Sequence, residues 1–151
     1  MTIQDKAAGA KNASIQLAAV PTHIKNSALK AIVRSLEEKK DQIISANQED
    51  LSNAAKDNLA APLLKRLKFQ EDKIIEAIEG LNSVIRLEDP VGVTSEALEL
   101  DKGLELFKVS SPIGVIGIVF ESRPDALVQI SSLCLKSGNA GILRGGKEAI
   151  N

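Results

Sequence analysis

Two short stretches of this chain combine residue types that could hold an anion. In Glu121-Ser122-Arg123-Pro124-Asp125 an apolar run gives way to a proline suited to the first turn of a helix, where free backbone amides and the helix dipole favour a negative group. In Arg144-Gly145-Gly146-Lys147 paired glycines let the backbone approach a ligand between two basic side chains. Such a run also suits a solvated loop. The glycine fingerprint G-x-G-x-x-G is absent, because Gly114 and Gly117 lie inside an apolar run and do not open a helix.

Other reactive side chains are few. Cys134 lies on the apolar stripe of an expected helix, where a buried thiol has a raised pKa and behaves as a small hydrophobe, so it reads as core and not as a nucleophile. His23 has no Cys, Asp or Glu at ligand spacing, and no metal site is expected. The 151 residues are enough for one domain with a real core. With 44% hydrophobic and 26% charged residues the chain reads as soluble, and no apolar run approaches the roughly 18 residues of a membrane span. A formal charge of −1 argues against a nucleic-acid surface. One cysteine cannot form an internal bridge, and residues 1–20 lack the apolar core of a signal peptide, so a cytoplasmic location is expected.

The elements that position the two anion-binding candidates differ along the chain. Ile24, Ala28, Ile32 and Leu36 recur at a spacing of four, with Ile43 continuing the stripe, which predicts an amphipathic helix capped by Thr22. Ile74, Ile78, Leu81 and Ile85 predict another, ending before Asp89-Pro90. Between them Asn58 to Leu67 reads as a short helix with breaks at Asp57-Asn58 and Pro62. Leu98, Leu100, Leu104 and Leu106 around Asp101-Lys102-Gly103 signal a β-hairpin whose last turn residue needs positive φ. Ile113 to Phe120 has the length and apolarity of a parallel strand covered on both faces. Pro124 then opens a helix with Leu127, Ile130 and Cys134 on one stripe, ending at Ser137-Gly138-Asn139, where Asn139 is expected at positive φ. A second strand, Gly141 to Arg144, follows, and a further helix is expected to begin at Lys147-Glu148-Ala149.

This order predicts an α/β chain. N-terminal helices (1–89) and a β-hairpin (90–111) lead into the first β-α-β unit (112–151) of an incomplete doubly wound, Rossmann-like cofactor domain with a right-handed crossover. In open α/β sheets ligands sit at the carboxyl ends of strands, where both candidate segments fall. Two strands alone leave an unfinished sheet edge, which predicts aggregation or binding to other chains.

The stretch from Pro112 to Ala149, with FESRPD, LCLKSGN and LRGGKEA in order, resembles the gamma-glutamyl phosphate reductases (glutamate-5-semialdehyde dehydrogenases), members of the aldehyde dehydrogenase superfamily. ISANQEDL (Ile44 to Leu51) and DPVG (Asp89 to Gly92) resemble the same family's N-terminal half, and many members have Asn where this chain has Asp125. The resemblance covers nearly all of the chain and implies the first part of a longer enzyme. That enzyme would reduce L-glutamyl 5-phosphate to L-glutamate 5-semialdehyde with NADPH in proline synthesis. A cysteine thiolate would displace phosphate from the acyl group, and hydride would then reduce the thioester. The nucleophile would lie in a later domain, leaving no catalytic residue in this chain.

The resemblance also implies roles. Glu121, Ser122 and Arg123 occupy the region where the superfamily has an oxyanion-stabilising asparagine, and the alignment leaves open which of the three corresponds. Arg144 aligns with a lysine that contacts the adenosine ribose, which makes Arg144, Gly145, Gly146 and Lys147 the cofactor-binding candidates for NADP. NAD-preferring relatives often carry a glutamate three residues after that lysine, where this chain has Lys147. The helices and hairpin would pack on the cofactor domain and on a neighbouring subunit, making a homo-oligomer. The competing reading is a non-catalytic truncated module that binds a nucleotide or a partner.

Overall fold

The computed structural model describes residues 2–151. Helix α1 (Ile3–Ala18) starts from a reciprocal capping box, in which the Thr2 hydroxyl accepts from the Asp5 amide at 3.2 Å and the Asp5 carboxylate accepts from the Thr2 amide at 2.8 Å. Nothing in the apolar pattern announces this helix. Its residues are largely alanine, glycine and polar types, so intrinsic propensity rather than an apolar stripe makes it helical. It packs on the sheet, with Ser14 buried and Ala10 and Leu17 half-buried.

Helices α2 (Thr22–Glu38) and α3 (Lys40–Lys56) divide at Lys39, so the stripe expected to run from Leu36 to Ile43 crosses a boundary. Pro21, not Thr22, is the cap of α2. Thr22 is already helical, and its hydroxyl donates to Asp89 at 2.8 Å. The buried face is Lys25, Leu29 and Leu36, while the expected Ile24 and Ala28 are exposed. Asn58, at φ 56, marks the expected break, but Pro62 opens helix α4 (Ala61–Leu67) instead of interrupting one. Helix α5 (Glu71–Arg86) buries Ile74, Ala77 and Leu81 and ends before Asp89-Pro90.

Strands β1 (Thr94–Asp101) and β2 (Leu104–Val109) pair antiparallel with Leu98 opposite Leu106. The turn is two residues, Lys102-Gly103, one fewer than expected; Gly103 takes the anticipated positive φ of 77°. Every residue of both strands is exposed. At the hairpin base the Ser110 hydroxyl donates to Pro90 O at 2.5 Å and accepts from the Val93 amide at 3.0 Å.

Strand β3 (Val115–Val119), helix α6 (Pro124–Lys136) and strand β4 (Ala140–Arg144) form a β-α-β unit in which the strands pair parallel, Val115 with Ala140 through Val119 with Arg144. β3 is not covered on both faces: Val119 is 78% exposed. On α6 the buried residues are Ala126, Ser132, Cys134 and Lys136, whereas Leu127 is half exposed. The left-handed residue after α6 is Gly138 (φ 71), not Asn139. Asn139 is buried and structural: its Oδ1 accepts from the Gly114 amide at 2.8 Å and its Nδ2 donates to Ser137 O at 3.2 Å, joining the end of α6 to the start of β3. Residues 147–149 form a turn where a helix was expected.

The core lies among α2, α3, α5 and α6. Leu29, Leu36 and Leu81 form one cluster and Phe69, Ile74 and Ala77 a second, with Ile43, Ile78 and Val128 packed against both. Each fully buried aliphatic side chain contributes about 1.5–3 kcal/mol. Polar bonds fix the register. Buried Asn47 donates to Leu67 O at 2.8 Å and accepts from the Phe69 amide at 2.8 Å, fastening α3 to the α4–α5 connection. Where α2, α5 and α6 meet, Lys25 and Lys136 are only 2% and 3% exposed. The Lys25 ammonium lies 2.5 Å from Asp89 and donates to Lys136 O at 3.2 Å, and Lys136 donates to Asn26 Oδ1 at 2.8 Å and Ile85 O at 3.2 Å. Burial raises the pKa of Asp89, but hydrogen bonds from Lys25, Thr22 and the Val91 amide, with the Lys25 charge, outweigh it and hold the carboxyl below its usual range.

Candidate functional site

The two candidate segments emerge side by side because β3 and β4 are adjacent and parallel, and the Phe120 amide extends the pairing by donating to Arg144 O at 3.1 Å. The loop after β3 then turns sharply at Ser122, whose φ is 48° and whose residue is 1% exposed. Arg123 caps α6, and its guanidinium pairs with Asp125 at 2.8 Å, placing a carboxylate in the positive first turn of the helix.

After β4 the chain runs through Gly145 and Gly146 into the turn at 147–149. A Cβ on Gly145 would stand 3.4 Å from the Phe120 ring, an ordinary van der Waals contact, so the two loops lie close together here without requiring a glycine. Glu148 folds back from that turn, and its Oε1 accepts from both the Ser122 amide at 2.6 Å and the Ser122 hydroxyl at 2.8 Å. Its own backbone amide and these Ser122 donors hold the Glu148 carboxyl below the usual range, against a smaller opposing effect of burial.

A cleft of about 650 Å³ opens between these loops and α3. Its lining combines apolar Leu36, Ile43, Phe69 and Val128 with polar Lys39, Gln42, Asp50, Ser122 and Arg123. That is the composition of a small-molecule site, an apolar body with a few convergent polar groups. Asp50, from the ISANQEDL segment, accepts from the Asn151 side chain at 2.9 Å. Ser122, Arg123, Gly145 and Gly146 line the cleft; Glu121, Arg144 and Lys147 do not. All three are exposed, and among the described residues neither Arg144 nor Lys147 forms an ion pair.

Cys134 is 8% exposed, two turns along α6 from the cleft-lining Leu127, and burial pushes its thiol pKa up, the opposite of what a nucleophile needs. No cluster of metal-ligating side chains occurs among the described residues, and no helix is long and apolar enough to cross a membrane. Sequence reasoning did not find the roles of Glu148 and Asp50. Both lie inside recognisable motifs, but a carboxylate 26 positions from its partner Ser122 leaves no periodic signal.

The order and packing of these elements match part of an aldehyde dehydrogenase. A probable aldehyde dehydrogenase from Listeria monocytogenes aligns over 93% of this chain and 28% of its own, with a TM-score of 0.65 at 18% identity, a likeness of fold alone. No family profile matches the chain. A narrower likeness comes from the gamma-glutamyl phosphate reductase of Acetivibrio thermocellus, 61% identical over 149 residues, which are 99% of this chain and 35% of that protein. The crystal structure of the Saccharomyces cerevisiae gamma-glutamyl phosphate reductase aligns with all of this chain and 39% of its own, with a TM-score of 0.97 at 40% identity. The chain therefore belongs to the gamma-glutamyl phosphate reductase family, and it spans about a third of the length of the curated relatives it matches.

Proposed function

We propose that the protein to which this stretch belongs reduces L-glutamyl 5-phosphate to L-glutamate 5-semialdehyde with NADPH, in the proline pathway of the cytoplasm. The observation that carries this reading is the 61% identity to a gamma-glutamyl phosphate reductase along nearly the whole chain. Residues 112–151 then open a doubly wound cofactor domain, with residues 1–89 packed on it and the hairpin of residues 90–111 reaching a second subunit. The hairpin suits that task because both its strands, including Leu98, Leu106 and Phe107, are solvent-exposed in the single chain.

The residues present suit a phosphorylated dinucleotide. Gly145 and Gly146 bring backbone to the cleft wall, and the unpaired cations Arg144 and Lys147 flank them. Arg144 would hold the adenosine ribose, and Lys147 would attract a phosphate on its 2′ oxygen. When bound, NADPH supplies the hydride. Lys39 and Arg123, the cations that line the cleft, would help to orient an anionic substrate. The nucleophile is supplied from outside residues 1–151, because the only thiol here is buried with a raised pKa.

The test is NADP-dependent oxidation of glutamate semialdehyde in phosphate buffer by the complete protein, the reverse of the proposed reaction. Turnover that requires phosphate is expected. Phosphate-independent oxidation, or none beside an active yeast relative, would remove the assignment.

A further inference from the structure

Resting on that reading, we propose that Ser122 and Glu148 form a clamp that fixes the two cleft loops against each other, so that Ser122 is a positioning residue and not a substrate contact. Ser122 holds a left-handed backbone (φ 48°), a conformation that a serine keeps only when its surroundings over-determine it. The surroundings here are one atom. Glu148 Oε1 accepts from both the amide and the hydroxyl of Ser122, at 2.6 and 2.8 Å. With both donors used and 1% of the residue exposed, Ser122 has no donor left to offer a ligand. The clamp joins the segment after β3 to the segment after β4, the two walls that bring Arg123, Gly145 and Gly146 to the cleft.

Gly146 supplies an independent observation. A Cβ on Gly146 would occupy the space now held by the Glu148 carboxylate, so any side chain there expels the acceptor from its position. The carboxylate ends a flexible side chain and can move aside without disturbing the backbone, so the expected cost of Gly146→Ala is loss of the clamp rather than loss of the fold. Three positions, Ser122, Gly146 and Glu148, thus serve one contact. Its consequence is a fixed spacing between the dinucleotide side of the cleft and the substrate side.

Four variants of the complete protein test this: Glu148→Ala, Glu148→Gln, Gly146→Ala and Ser122→Gly. Hydrogen exchange at the Ser122 amide reads the clamp directly, and steady-state kinetics with NADPH read its effect on the site. Glu148→Ala and Gly146→Ala are expected to speed exchange at Ser122 and to raise KM for NADPH about tenfold, the size of one charge-assisted hydrogen bond. Under the same conditions kcat should fall less than about threefold and Tm should stay within a few degrees, because binding geometry and not the reacting centre is disturbed. Glu148→Gln keeps an acceptor oxygen and should recover most of the affinity. Ser122→Gly keeps the amide bond and the positive φ, and should fall between. Unchanged exchange in Glu148→Ala overturns the clamp. Faster exchange with unchanged KM, or a loss of Tm alone, overturns its positioning role. Absence of phosphate-dependent turnover in the unmodified protein would instead overturn the reductase reading, while the exchange rates still decide whether the clamp exists.

Discussion

Lys147 and Asp89 are charged residues of opposite kinds, one exposed and unpaired, the other tied into a buried network. If Lys147 faces the 2′-phosphate as proposed, Lys147→Glu in the complete protein should lower kcat/KM for NADPH at least tenfold, about 1.4 kcal/mol, while sparing NADH. Equal losses with both cofactors would show that Lys147 does not select the phosphate. Asp89 governs stability instead. Its folded pKa lies below the ordinary 3.8, so its contribution is fully present above that value and is lost as pH falls through the folded pKa. Urea midpoints measured from neutral to acid pH should show that slope, and Asp89→Asn should flatten it. At neutral pH Asp89→Ala leaves the Lys25 ammonium buried without its counter-charge, and such half-broken pairs cost about 3–5 kcal/mol. A loss under 1 kcal/mol would mean that water reaches Lys25 and replaces the carboxylate.

Among the elements, those that carry a period were readable and those held by specific polar contacts were not. The hairpin and α5 follow directly from apolar spacing and from Gly103, which needs positive φ. Helix α1 has no stripe to read, and the buried face of α2 sits beside the expected one because a lysine, Lys25, points inward to meet Asp89. No spacing rule forecasts a buried lysine, since its partner lies 64 positions away. The same holds for Ser122 and Asn139: sequence assigned the positive φ near α6 to the asparagine, whereas Gly138 takes it there and Ser122 takes another under the hold of Glu148. Of the cleft, the two segments and their neighbouring strands were legible, while the α3 wall and Glu148 were not. Asn47 shows how much one such contact carries. Asn47→Ala would strand the Leu67 carbonyl and the Phe69 amide away from water, and a loss of about 2–3 kcal/mol is expected in urea denaturation. A Gln at 47, one methylene longer, should not restore it.

For the molecule as a whole, the sole thiol decides what residues 1–151 can do by themselves. Purified alone, they should give no NADP-dependent oxidation of glutamate semialdehyde above a no-protein control, because Cys134 is buried and its pKa is raised. They should also self-associate in sedimentation experiments, through exposed apolar residues of the hairpin and of β3 such as Phe107 and Val119. Measured turnover, or a monodisperse monomer at high concentration, would contradict these expectations in turn. Helix α6 links the two ends of the architecture. It starts at the cleft with Arg123 and Pro124, and its last carbonyl, Lys136 O, receives the ammonium of Lys25, which also grips Asp89 just ahead of the hairpin. Its thirteen residues make a rod of about 20 Å. Val128 in its first half and Leu135 near its end both pack against the Leu29, Leu36 and Leu81 cluster, so the wall of the cleft and the root of the hairpin are braced by one span.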